Sequence, residues 1–225
     1  MHGLIRTLAH LIQTDKDLNK ERPMNDLPDR FPRGWFVLGH QRDFPIGETN
    51  TIYGFDRKIQ VQRLEDGSIK IDLGDTDEWP ILEINQMVMV WHDAEKKEPD
   101  FLPKKIEECY SDEWSDYGMA SFLVKNNCRE LIDNMADKGH FGPVHQAPFE
   151  GFWNEAKDHT YTQEMTADSP ILGRDLFSQA TYEGPAYMTT YMSAIHDGNK
   201  VESRLAVTHI PLTLTSFQIN FGVMV

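Results

Sequence analysis

The second half of the chain sets the tightest limit on its fold. Five runs rich in β-branched and aromatic residues follow one another between residues 159 and 222, spanning 159–165, 176–182, 186–192, 201–208 and 213–222. No segment with helical periodicity separates them. Strands that succeed each other without crossover helices pair antiparallel, because a parallel partner needs a connection of a dozen or more residues. The chain is thereby committed to an antiparallel sheet, and a functional site must be built on or against that sheet.

Directly ahead of these runs lies Asn127-Cys-Arg-Glu-Leu-Ile-Asp-Asn-Met-Ala-Asp-Lys-Gly-His-Phe-Gly-Pro-Val-His145. Cys128, Leu131, Ile132 and Met135 recur at i, i+3, i+4 and i+7, which predicts a helix with one buried face and Asp133, Asn134 and Asp137 in other sectors. Asp137, His140 and His145 then stand at the helix end in Asp-x2-His-x4-His spacing. On a continuous helix the two His would point about 140° apart. Gly142-Pro143 lies between them and predicts a break, since proline is costly in a helix interior, and a break lets both rings turn to one point. Two neutral imidazoles and a carboxylate with open positions form the facial set that holds non-haem Fe(II). Asp137 is either the third ligand or the acceptor of a ligating ring's other N–H. Asn134 lines the site or faces solvent, and Phe141 and Phe149 are core packing or pocket wall.

A bare His-x4-His pair is a weak motif, and its surroundings carry the identification. Asn127-Cys-Arg-Glu with Asp133-Asn134, Asp137, His140-Phe141 and Val144-His145 resembles the mononuclear-iron segment of Rieske non-haem iron oxygenases, in particular the oxygenase component of 3-ketosteroid 9α-hydroxylase and the cholesterol 7-desaturases. Phe31-Pro-Arg-Gly-Trp-Phe-Val-Leu-Gly39 is similar to that family's opening strand, Met89-Val-Trp-His-Asp93 to the last strand of its N-terminal domain, and Ser111-Asp-Glu-Trp114 to the start of its catalytic domain. The resemblance implies an α+β chain: a remnant of a small β Rieske-type domain over 31–95, then a truncated helix-grip catalytic domain over 107–225, an antiparallel sheet with a helix. It implies mononuclear Fe(II) at His140 and His145, and a catalytic role for Asp137, which in the family bridges a neighbouring subunit's cluster to the iron. It also implies a sterol- or steroid-like apolar substrate, a reductase as electron source and a homotrimer.

Two departures accompany the match. A Rieske [2Fe–2S] cluster needs two Cys and two His, supplied in the family by Cys-x-His and Cys-x2-His pairs in the N-terminal domain. This chain has two cysteines, Cys109 and Cys128, in neither pattern and outside that region. Arg57–Gly67 reads as an early hairpin that runs almost directly to Trp79, so the cluster-binding loops are expected to be missing. The family's third iron ligand is an Asp on a late helix, whereas this sequence ends in the strand-like Gly222-Val-Met-Val225. Glu150, Glu155, Asp158, Asp168 and Asp175 follow His145 without matching that helix. An uncovered sheet would expose Tyr187, Tyr191, Phe217, Ile219 and Phe221.

Charge and composition bound the rest. A net charge of −14, from 22 Lys and Arg against 36 Asp and Glu, argues against nucleic acid or an anionic membrane surface as partner, since phosphate binding rests on clustered basic residues. Two cysteines argue against a disulfide scaffold and fit a reducing, cytoplasmic setting. No run reaches the roughly 20 apolar residues of a membrane span. Residues 1–30 read as a short amphipathic helix, with Leu4, Ile5, Leu8, Leu11 and Ile12 apolar, followed by a charged linker. His92 reads as structural, His40 as surface, and His159, His196 and His209 as strand or turn residues without a second ligand. Three functions are compatible with this pattern: an O2-dependent hydroxylase or desaturase of an apolar substrate, a redox-inactive module binding a hydrophobic ligand, and a gene fragment.

Overall fold

The structure is a computed structural model that describes residues 30–145, 149–170 and 173–225, without the side chains of Phe141, His145 and Phe149. The N-terminal helix and most of the linker read from the sequence lie outside the described residues. Thirteen strands and two α-helices are described, an α+β arrangement dominated by antiparallel sheet.

Three sheets stack. β2 (Thr49–Gly54), β3 (Arg57–Arg63) and β4 (Ile69–Asp72) form the outermost, in the order β2-β3-β4. β1 (Gly34–His40), β5 (Ile81–Ile84) and β6 (Met87–His92) form the middle one, in the order β1-β6-β5. β1 and β6 are apolar at nearly every position because both of their faces are covered. Trp35, Val37, Met87, Met89 and Trp91 point one way and meet Tyr117, Tyr187, Ala206 and Met224. Phe36, Leu38, Val88 and Val90 point the other way and meet Phe55, Ile59, Val61 and Leu73 of the outer layer. Trp35 and Trp91 also satisfy their indole N–H groups, on the carbonyls of Phe101 and Lys97 at 2.8 and 2.9 Å.

The third sheet has seven strands, β7 (Gly118–Val124), β8 (Phe149–Lys157), β9 (Thr160–Ser169), β10 (Gly173–Glu183), β11 (Tyr187–His196), β12 (Asn199–Thr213) and β13 (Ser216–Met224). Its order, β7-β13-β12-β11-β10-β9-β8, is a meander closed at one side by β7, and every pairing is antiparallel. All five runs read from the sequence are strands here, and β7 and β8 add two that the periodicity did not single out.

Two close approaches bring the layers together. Gly34, at φ 151°, sits where a Cβ would lie 2.3 Å from Pro185 Cδ, so only glycine lets β1 meet the β10–β11 turn. At the far end of β12, Phe55 and Asp56 donate backbone N–H bonds to the carbonyls of Pro211 and Leu212 at 2.7 and 2.9 Å. These bonds hold two non-glycine residues at φ 55° and 57°, a left-handed pair that a Phe-Asp dipeptide does not adopt for its own sake.

Three expectations are corrected by this packing. Tyr187 is fully buried, because the middle sheet covers its face of the large sheet. Phe217 and Ile219 are 3% exposed, because the helix preceding β8 covers the opposite face. His40 is also buried: its ring accepts the Arg42 N–H at 3.2 Å through Nδ1 and sits 3.1 Å from Gln86 Oε1 through Nε2, which makes it a cap for the turn after β1.

Candidate functional site

The predicted helix forms as α1 (Arg129–Ala136). Its start is tied down by Asn127, whose Oδ1 accepts the Arg129 N–H at 3.0 Å while its Nδ2 donates to the Leu214 carbonyl at 2.8 Å in the β12–β13 turn. The apolar stripe does what its spacing predicts. Cys128 and Leu131 pack on Val207, Phe217 and Ile219, and Ile132 and Met135 pack on Tyr161, Ala180, Tyr182 and Met188. α1 therefore lies across β9 to β13 and covers one face of the large sheet.

The break falls elsewhere than Gly142-Pro143. Asp137 leaves helical geometry, at φ −82° and ψ 96°. The chain then makes a short 3-10 turn over Lys138–His140, and α2 (Phe141–His145) runs on through Gly142 and Pro143. Proline is tolerated in a first helical turn, where its missing N–H has no intrahelical acceptor. Asp137 can break the helix because its Oδ1 takes over the Gly139 N–H at 2.8 Å. From the sheet side, Gln163 of β9, itself buried, donates to the Met135 carbonyl at 3.2 Å, one of the acceptors a helix end leaves without an internal partner.

His140 is thus placed at the foot of α1. Its side chain is 14% exposed. Its Nδ1 lies 2.5 Å from the Asp137 carbonyl oxygen and 3.7 Å from Asp137 Oδ2. A carbonyl oxygen only accepts, so Nδ1 is the donor of this contact, an arrangement of the kind that orients a metal-binding imidazole through its other ring nitrogen. Asp137 itself is exposed, as is Asn134 on the outer side of α1. The backbone of His145 ends α2, while its side chain and those of Phe141 and Phe149 lie outside the described residues. Among the described residues no three His, Cys, Asp or Glu side chains come together as a metal set, and Glu150, Glu155, Asp158, Asp168 and Asp175 are all exposed.

The sheet face beneath α1 also holds polar groups that the sequence analysis passed over. Asn154 and Gln163 are a directly opposed pair on β8 and β9, and Asn154 Oδ1 is buried without a hydrogen-bond partner. Thr190 and Ser178 are buried on the same face. Period-2 alternation was the available signal, since it puts these residues on the same side as Met165, Ala180 and Met188, but only the pairing register says which strands are neighbours. The larger of the two described clefts, of about 590 Å3, lies on the opposite face, between residues 102–108 and Thr162, Gln179, Thr181, Thr189 and Arg204.

The other histidines and the cysteines are committed elsewhere. His92 stacks on Phe55 at 4.6 Å and donates from Nδ1 to the Pro32 carbonyl at 2.9 Å, and burial holds it below the usual imidazole range. His159 stacks on Phe101 at 4.2 Å. Cys109 and Cys128 are free and buried, and burial raises both thiols, Cys128 to about 11. No cysteine occurs between residues 30 and 95. The donors present therefore do not fit a [2Fe–2S] cluster, which needs two thiolates and two imidazoles side by side.

Known structures define the class of the fold. The chain superposes on dicamba monooxygenase bound to dicamba with a TM-score of 0.65 over 85% of this chain and 76% of that one, at 13% identity. It matches a quaternary ammonium Rieske monooxygenase with a TM-score of 0.61 over 87% and 70%, at 12% identity. The fold is that of Rieske-type monooxygenases. Within that class, the chain belongs to the 3-ketosteroid 9α-hydroxylase C-terminal domain family, whose model matches residues 90–225. A 3-ketosteroid-9-alpha-monooxygenase oxygenase component of Rhodococcus rhodochrous is 28% identical over 88% of this chain and 66% of its own length. A cholesterol 7-desaturase of Hemicentrotus pulcherrimus is 24% identical over 76% and 54%. The chain thus spans about two thirds of the bacterial relative. Their alignment runs over 258 positions while using 88% of a 225-residue chain, so several tens of the relative's residues have no counterpart here.

Proposed function

We propose that this chain carries the mononuclear-iron half of an O2-dependent oxygenase or desaturase acting on an apolar, oxygen-bearing substrate of the sterol or steroid class. The observation that carries the reading is the His140 geometry: Nδ1 faces the Asp137 carbonyl at 2.5 Å, which would leave Nε2 of the neutral ring as the nitrogen to ligate. His140 and His145 would hold Fe(II), whose chemistry when bound is the activation of O2 beside a C–H bond. Asp137 orients His140 and, being exposed, is open to an approaching electron carrier.

The residues beneath α1 account for substrate choice. Phe152, Met165, Ala167 and Leu176, which continue the same sheet face beyond the α1 contact, would offer an apolar wall. Asn154, whose oxygen has no partner, and Gln163 offer amide groups that can hydrogen-bond a substrate hydroxyl or carbonyl. This division, an apolar surface with a few placed polar groups, is how small-molecule sites obtain affinity and orientation together. The steroid and sterol substrates in the names of the relatives, an apolar skeleton bearing oxygen, match it.

Electrons would come from a cluster held on another polypeptide, since this chain's two thiols are buried apart, one among the middle-sheet core and one under α1. A soluble oligomer served by a reductase is the assembly that goes with this reading. The test is anaerobic Fe(II) titration of the wild type, His140→Ala and His145→Ala. Near-stoichiometric iron in the wild type, lost in both variants, is expected. Iron uptake indifferent to both substitutions overturns the assignment and leaves the redox-inactive binding module, which the same apolar wall would serve.

A further inference from the structure

The seam between the N-terminal sheets and the large sheet contains one ionisable ring that nothing neutralises. His209 lies near the end of β12, two and three residues before the carbonyls of Pro211 and Leu212 that receive the Phe55 and Asp56 N–H groups. It is fully buried, and neither Nδ1 nor Nε2 has a hydrogen-bond partner. The ring sits between two aromatic edges from different layers, Phe36 of β1 at 6.3 Å and Phe217 of β13 at 5.5 Å. Next to it on β12, Ile210 presses so closely on the β2–β3 turn that a Cβ on Gly54 would lie 2.6 Å from its Cδ1. His209 therefore occupies one of the places where the layers interlock closely.

We infer that His209 is an acid-sensitive latch: its neutral ring keeps the β2–β3 turn docked on β12, and a proton on it releases that turn. The surrounding elements supply no compensating charge. On β1 the ionisable group is His40, bonded to Gln86 and Arg42. On β2 and its turn they are Tyr53 and Asp56, both exposed. On β6 it is His92, stacked on Phe55, and on β11 they are Tyr187, whose hydroxyl accepts from Asn85, Tyr191, which bonds Glu202, and His196, exposed beside Asp197. β13 has none. Along β12, Lys200 and Glu202 pair with each other and Arg204 pairs with Glu108. None of these interacts with the His209 ring, and burial alone depresses its proton affinity, to about 3. An imidazole released to water has its ordinary value of about 6.5. The closed seam is thus favoured fully above that value and loses its advantage as pH falls towards the buried one, about tenfold in the opening equilibrium per pH unit.

The test is amide hydrogen exchange, expressed as protection factors so that the intrinsic pH dependence cancels, in the wild type and His209→Phe. The expected result is an approximately tenfold loss of protection at Phe55 and Asp56 between about pH 7.5 and 5.5 in the wild type, no such loss in His209→Phe, and retained protection in β10 and β11. An equal loss in the variant, or loss of protection across the whole large sheet at the same pH, overturns the latch. Should His209→Phe fail to fold, the imidazole resonances of the wild type decide: a ring that stays neutral at pH 5.5 while the seam is closed supports the proposal, and a ring titrating near 6.5 in the closed protein overturns it.

Discussion

At the scale of single residues, Asn85 shows how much one buried amide can organise. It is fully buried in the β5–β6 turn at φ 52°. Its Nδ2 donates to the Lys104 carbonyl at 2.8 Å and to the Tyr187 hydroxyl at 2.9 Å, and its Oδ1 accepts the Ile106 N–H at 2.8 Å. One side chain thus joins a hairpin turn, the connector at 104–106 and the large sheet. Asn85→Ala leaves a buried N–H, a carbonyl and a hydroxyl without their partner, and we expect a loss of about 3 kcal/mol, measured by urea unfolding. The sequence analysis did not single out this Asn, because its three partners come from segments 19, 21 and 102 residues away.

At the scale of elements, the helix and the strands differ in how openly they were written. α1 was legible because its apolar stripe is local, and the structure buries Cys128 and Met135 with Leu131 and Ile132 packed beside them. Met135→Ala removes the contact with Ala180 and Tyr182 next to the turn that positions His140. We expect a loss of about 3 kcal/mol in stability, together with weaker Fe(II) binding in the same titration that tests His140, although Met135 itself cannot ligate iron through the sheet-packed face. The break after α1 was misplaced for a physical reason. Pro143 signals a break only when it stands inside a helix, and Asp137 ended the helix first by capping Gly139. β7 was passed over because its burial alternates weakly at an edge of the sheet.

At the scale of the whole molecule, the N-terminal sheets have the role of a cover. They bury Tyr187, Ala206 and Met224 on one face of the large sheet, α1 buries Val207, Phe217 and Ile219 on the other, and the sequence-based expectation of exposed apolar side chains at Tyr187, Phe217 and Ile219 fails for this reason. Among the described residues, the two cysteines are buried in separate clusters, and no three His, Cys, Asp or Glu side chains gather as a metal set. Reconstitution with iron and sulfide under reducing, anaerobic conditions is expected to give no thiolate-to-iron absorption bands from this chain. Bands that disappear in Cys109→Ser or Cys128→Ser would show that the buried thiols can be recruited after all. The sequence by itself determined the antiparallel sheet and the amphipathic helix ahead of His140, since these rest on spacing along one stretch of chain. Only the tertiary structure decided which face each strand buries and that His209 is sealed without a partner, because those depend on what distant segments bring to within hydrogen-bonding and packing distance.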